Sequence, residues 1–444
     1  MSNQGWRIGV AREQITPALG CQMAGFDARK GTAHDVHDEL HARAIVFDDG
    51  VTQVAFVSVE VIALSASFSE RVRSVVAAEA GISPERVFLS ATHTHCGPVT
   101  LHHFFNQGQP LDEDYLDLLA AGIVTAVKRA NENKRLRTLR SGLVPCSGIA
   151  QNRRTSDGLP VDPFAGVLHV EEMDGSSCAL AVVYACHTTV LGPDTLSLTQ
   201  DFPYYTLEKL QSVLGQHVEV MYFNGAQGDL SIGHKSDLSA VGIVDPFRTF
   251  ETAKRLGETL ADAVLRGLPS LVSEPSHIQF AATDLLLELK HYEPLQTMMQ
   301  RRDAALHAVN GTEGTGMIAA KQRYLFARIE EYYQKLYEAA DGPEPKHLSA
   351  EVAAILLGNT AFITLPGEIF VRIALNIRAA SPFPRTIFLG LTNDYIGYVP
   401  DEFADVSQGY EVVASRVPWQ AGVAIEQAAD ALLHSLQPME AKLA

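Results

Sequence analysis

The run FLSATHTHCGP, residues 88–98, sets two imidazoles, His93 and His95, one residue apart at the end of an apolar stretch. On a strand, residues i and i+2 share a face, so both rings project together while Thr92 and Thr94 turn away. Gly97-Pro98 then ends the strand. Two imidazoles on one face at the carboxyl end of a buried strand stand where α/β folds place their sites. The same spacing also occurs in exposed strand-end histidines. A second apolar run, ALAVVYACHTTVLG, carries His187 past its end, and a third, TAFITLPGE, delivers Glu368. A fourth, IFLGLTNDYIGYVP, leads toward SQGYEVVASR, which carries Tyr410. Imidazole and carboxylate donors suit Zn2+, an ion that polarises a carbonyl and lowers the pKa of a bound water to about 7.

Strand and helix patterns alternate around these donors. ARAIVFDDG and TQVAFVSVEVIAL read as neighbouring strands joined by an Asp-Asp-Gly turn. SFSERVRSVVAAEAGIS has helical periodicity, a serine-rich start and a glycine stop. RVFLSAT, CALAVVYAC and VEVMYFN read as buried strands, with helices from DEDYLDLL onward and around residues 205–213. The order predicts an α/β protein with a mixed β-sheet core covered by helices. Residues 1–444 read as a single catalytic domain. Residues 294–338, rich in Arg, Gln, Glu and Ala, read as a helical hairpin inserted into it.

Composition narrows the function. With 46% hydrophobic and 20% charged residues the chain has ample material for a core. A formal net charge of −17 opposes nucleic acid or an anionic membrane as partner. The basic run KRANENKRLRTLR, residues 128–140, reads as the solvated end of a helix. Five cysteines with no Cys-x-x-Cys pair suggest free thiols in a reducing compartment. No apolar leader opens the chain and no apolar run reaches the length of a membrane span, so a cytoplasmic location is expected.

Taken together, IGVAREQITP, GFDARKG, SATHTHCGP, NRR at 152–154, CHTT, NGAQGDLS, LPGE, NDYIGYVP and YE resemble, in this order, the neutral/alkaline non-lysosomal ceramidases. The resemblance runs from about residue 8 to 437 and lapses across the helical insert. It implies an amidase with one zinc ion, held by His93, His187, Glu368 and Tyr410. It also implies that His95 and Arg153 contact the scissile amide. Ser231, in Gly-Asp-Leu-Ser, matches a serine considered a nucleophile in that family, but Ile232-Gly233 replaces the family's following Pro-Asn. The family's serine after His-Thr-His is Cys96 here. Those enzymes are secreted and carry a C-terminal immunoglobulin-like domain, features not expected of this chain.

The expected function is therefore a zinc-dependent hydrolase that cleaves the amide of a small-molecule N-acyl substrate other than ceramide. The alternatives are a zinc esterase or lactonase, a serine hydrolase using Ser231, and a non-catalytic zinc-binding protein. The serine reading lacks a Gly-x-Ser-x-Gly elbow. Asn393, Tyr395 and Tyr398 are expected to bind substrate from a Gly-Pro-bounded turn. Glu60, an acid in an apolar strand, either orients a metal-bound histidine or ends at an exposed edge. Asp201 reads as a helix N-cap, and His34, His37 and His41 as residues of a loop entering a strand. His102 and His103 could line the pocket mouth, whereas Cys96 should face away from both strand-end histidines.

Overall fold

The computed structural model describes residues 5–106, 110–154, 160–339, 347–404 and 409–436. Trp6–Gln14 (β1) pairs antiparallel with His41–Asp48 (β2), which turns back into Gln53–Val59 (β3). The Asp-Asp-Gly turn works as its residue types suggest: the Asp48 and Asp49 carboxylates accept the backbone N–H groups of Gly50 and Thr52, each at 2.7 Å. Val87–Ala91 (β4) joins parallel to β3 through the helix Ala66–Ala80 (α1), which Ser65 caps and Gly81 ends at φ 70°. The helix Glu113–Glu132 (α2), capped by Asp112, covers the same face.

The sheet continues through Arg135–Pro145 (β5), Phe164–Glu171 (β6), Ser177–Tyr184 (β7) and Glu219–Asn224 (β8) in the order β8-β7-β6-β5-β1-β2-β3-β4. The helices Phe202–Leu214 (α3) and Phe250–Gly267 (α4) cover the β5–β8 half. A second sheet, Ile278–Glu288 (β9), His347–Leu357 (β10), Thr360–Thr364 (β11) and Arg385–Leu389 (β12), packs its inner face on the first. Phe56 meets Phe362 across this interface at 5.3 Å. Between β9 and β10 the chain forms the helices Leu295–Asn310 (α5) and Met317–Glu338 (α6). The helices Val371–Ala380 (α7) and Gln420–Ser435 (α9), with the short Tyr410–Val413 (α8) between them, complete a layer on the far side of the second sheet. The protein is thus a mixed α/β fold of two central sheets between helices. Among the described residues no helix is long and apolar enough to cross a membrane.

Three points differ from the sequence reading. The strand pattern suggests one sheet, but two stacked sheets form, because strands buried on both faces give no sign of which layer they join. The strand before His93 ends at Ala91, and His93 adopts a left-handed backbone at φ 67°. Thr92 N and His93 N leave the ladder to bond Val59 O and Val61 O at 2.9 and 3.0 Å. Strand alternation therefore does not place His93 and His95; a bend does. Finally, the basic run after Lys128 does not end in a solvated helix tip. Its second half is β5, where Arg137 is buried between Ile8 O and the Glu172 carboxylate, and Arg140 reaches Glu171.

Candidate metal and active site

Segments leaving β4, β7 and β11 at their carboxyl ends converge in one cluster. His93, His187 and Glu368 bring one donor atom each within 4.8 Å of one another, and all three residues are buried. Each imidazole is held from behind by backbone. His93 Nδ1–H donates to Ile62 O at 2.8 Å, and His187 Nδ1–H faces Gln227 O and Leu230 O at 2.9 and 3.0 Å. Carbonyls accept only, so both protons sit on Nδ1 and both Nε2 lone pairs face inward. Glu368 is fixed by its N–H to Gly397 O at 2.9 Å and by pairing with Tyr398. Gly228 lies against it so closely that a Cβ would stand 2.3 Å from Glu368 O, so only glycine fits there.

This arrangement leaves acceptors facing acceptors. His187 Nε2 lies 2.8 Å, and His93 Nε2 3.4 Å, from the same oxygen, Glu368 Oε2. Such a cluster calls for a cation among its lone pairs. Ligands at about 2.1 Å around a tetrahedral zinc stand about 3.4 Å apart, the separation of His93 Nε2 and Glu368 Oε2. The donor set and the backbone carbonyls behind it fit a zinc ion.

Other expected residues divide into those at the cluster and those away from it. The Tyr395 hydroxyl donates to Glu368 Oε1 at 2.6 Å. Tyr410 lines the same cavity, 5.9 Å from the Tyr398 ring, but its hydroxyl bonds no described residue. His95 Nε2 lies 3.2 Å from His93 Nε2, and its Nδ1 is buried without a partner among the described residues. The His95 ring rests edge-on against Phe26 at 4.9 Å, and the Gly25 backbone lies against its other atoms. Arg153 is buried outside the cavity lining and reaches it only through Tyr398. Its Nη2 donates to Tyr398 Oη at 3.1 Å and to Gly228 O at 3.0 Å. Its Nε stands 2.8 Å from Glu411 Oε1 but off hydrogen-bond alignment. Tyr398 in turn stacks parallel to His187 at 6.4 Å.

Ser231 is fully buried in the short strand Leu230–Ser231, opposite Gln151. Its hydroxyl donates to His234 O at 3.0 Å and accepts Gly233 N, and no described base faces it. Asn393 does not line the cavity: its amide oxygen accepts Leu89 N and its nitrogen donates to Glu351, each at 2.9 Å. Glu60 takes neither expected place. It is buried and bonds His41 N and Arg43 Nε, so carbonyls, not a carboxylate, orient the histidines. Asp201 caps α3, as its position suggests, and also accepts Val190 N and Leu191 N; burial pushes its carboxyl up to about 6. Cys96 is buried beside Arg29, its thiol pushed up to about 12 by burial. His37 stacks on Phe250, away from the cluster.

The cavity over the cluster has a volume of about 70 Å3. Met23, Phe26, Ile62, Val99 and Leu101 give it apolar walls, and His103 adds a further imidazole; His102 is exposed. Phe26 and the Arg153 partner Glu411 lie in the GFDARKG and YE segments, but the sequence reading singles out neither as a site residue.

Residues 6–157 match the family model described as neutral/alkaline non-lysosomal ceramidase, N-terminal. The whole fold matches the crystal structure of neutral ceramidase from Pseudomonas aeruginosa with a TM-score of 0.77 at 17% identity, over 99% of this chain and 76% of that one. The fold is thus similar to that of a solved neutral ceramidase, and the family model matches the N-terminal third of the chain. A ceramidase solved in complex with C2 matches at a TM-score of 0.74 and 18% identity, over 98% of this chain and 76% of that one. In this ceramidase-like fold, the His-His-Glu cluster stands at the strand ends of two stacked sheets.

Proposed function

We propose that the protein is a zinc-dependent amide hydrolase acting on an N-acyl compound other than ceramide. The observation that carries this reading is the pair of inward-facing Nε2 lone pairs set against Glu368 Oε2 on the floor of a cavity. His93, His187 and Glu368 would hold the ion. Tyr395 is proposed as the fourth donor in place of Tyr410, because its hydroxyl meets the carboxylate that the cluster shares. A bound zinc supplies Lewis acidity toward a carbonyl and an acidified water.

The remaining work falls to protein groups. Amide hydrolysis needs donors for the oxygen that gains charge and a proton for the departing nitrogen. Tyr398 Oη already accepts from Arg153, so its own O–H is left to donate toward the cavity. His95, beside His93, would take up a proton released by the attacking water and pass it to the leaving amine. The apolar walls suit an acyl group, and their small volume favours a short one. The high acidic charge of the chain adds support for a soluble substrate over an anionic lipid surface.

The test is elemental analysis followed by a panel of N-acyl amines and amino acids, matched esters and lactones, and long-chain ceramide in detergent. About one zinc per chain, activity lost on chelation and regained with zinc, and higher kcat/KM on soluble amides than on ceramide are expected. Full activity in metal-free protein overturns the zinc assignment, and preference for ceramide or for esters overturns the substrate assignment.

A further inference from the structure

The helix α6 touches three segments that wall the cavity. Arg328 donates through both terminal nitrogens to the Asp27 carboxylate at 2.7 and 3.1 Å. The Tyr333 hydroxyl donates to Ala414 O, next to the helix bearing Tyr410, at 2.8 Å. Its ring and that of Tyr332 meet Phe104 at 6.4 and 6.5 Å, beside His103. Asp27 directly follows Gly25 and Phe26, whose backbone and ring enclose His95. The far end of this segment is tied separately, with Arg29 donating to Ala24 O and stacking over Phe26 at 5.0 Å.

From this we infer that the Asp27–Arg328 pair is a latch by which α6 presses residues 23–29 onto His95, making Arg328 a positioning residue for the reaction. A two-toothed guanidinium–carboxylate contact fixes direction as well as distance, which a single charge contact does not. Among the described residues His95 has a polar contact at Nε2, to His93, and none at Nδ1, so the Gly25 and Phe26 surfaces set the remainder of its ring orientation. A shift of about 1 Å in those surfaces misaims the ring, and misplacements of that size cost up to about 10²-fold in rate. The role in turnover rests on the proposed amidase reading; the latch itself does not.

The experiment compares zinc-loaded wild type with Arg328→Met, Asp27→Asn, and the reversed pair Asp27→Arg/Arg328→Asp. Backbone hydrogen exchange of residues 23–29 is measured without substrate, alongside zinc content, Tm and kcat on the amide found above. Each single variant is expected to keep its zinc, exchange faster in 23–29 and lose about tenfold in kcat with a smaller change in KM. The reversed pair is expected to regain protection and most of kcat. Unchanged exchange in the single variants overturns the latch. Faster exchange with unchanged kcat per bound zinc, or a lowered Tm alone, overturns the positioning role. A protein that turns over no amide, yet loses protection in the single variants and regains it in the reversed pair, fails the proposed function and upholds the latch.

Discussion

Tyr395 Oη lies 2.6 Å from Glu368 Oε1, while His187 Nε2 lies 2.8 Å from the other oxygen of the same carboxylate. One carboxylate thus serves both the imidazoles and a phenol, and Tyr395 is the phenol that hydrogen-bonds it. As a ligand or as a donor to a ligand, Tyr395 should govern metal affinity. Tyr395→Phe is expected to weaken zinc binding by about 10–100-fold, the usual cost of losing such a partner. Tyr410→Phe should change it by less than about threefold. Competition against a chelator of known affinity measures both, and the reverse order would restore Tyr410 as the ligand.

His93 and His95 should separate metal from chemistry. His93→Ala is expected to lose zinc and nearly all activity together. His95→Ala should keep zinc, because its nitrogen stands outside the three-donor group. Its loss should fall mainly on kcat, by about 10²–10³, the range for removing one donor to developing charge. Zinc content and steady-state kinetics decide this after circular dichroism shows each variant folded. If His95→Ala loses zinc as fully as His93→Ala, the division of roles is wrong.

The sequence makes part of this site legible. His93, His187 and Glu368 each follow an apolar run, and that pattern alone points to one end of a buried sheet. It does not show the left-handed turn at His93, because that bend is set by Val59 O and Val61 O on a neighbouring chain segment. The carbonyls of Ile62, Gln227 and Leu230, which orient both rings, carry no residue type at all. Asn393 shows the opposite failure. Its polar type and turn position suggest substrate contact, but an Asn at φ 63° beside a strand end can satisfy the ladder itself, as it does for Leu89 N. Helices such as α1 were readable because Ser65 and Gly81 act locally. The second sheet was not, because the pairing of β9 with β12 through β10 and β11 is a tertiary choice.

Ser231 provides a direct contrast with a nucleophile. Its buried hydroxyl is spent on His234 O and Gly233 N, just past the short strand that carries it. Ser231→Ala should leave kcat within about threefold and lower stability by about 1 kcal/mol, the net worth of such a hydrogen bond. Denaturant midpoints and kinetics on zinc-loaded protein measure the two effects. A loss of 10³ or more in kcat with zinc retained would return Ser231 to the chemistry.

For Arg153 we propose an indirect role in place of the expected direct contact with substrate. It is buried against Glu411 and Gly228 O, and meets the cavity through Tyr398 Oη. If it acts by holding that phenol, the two residues form one unit and their losses should not add. Tyr398→Phe and Arg153→Met are each expected to lower kcat by about 10²; the double variant should be little worse than either alone. Arg153→Lys should recover only part, because an ammonium cannot reach Tyr398, Gly228 O and Glu411 as a fork. Glu411→Gln tests the other side. It leaves the Arg153 charge buried with its partner removed, a change that typically costs about 3–5 kcal/mol. It should therefore lower the denaturant midpoint sharply. Losses in kcat that add fully between Arg153→Met and Tyr398→Phe would show that Arg153 has a substrate contact of its own.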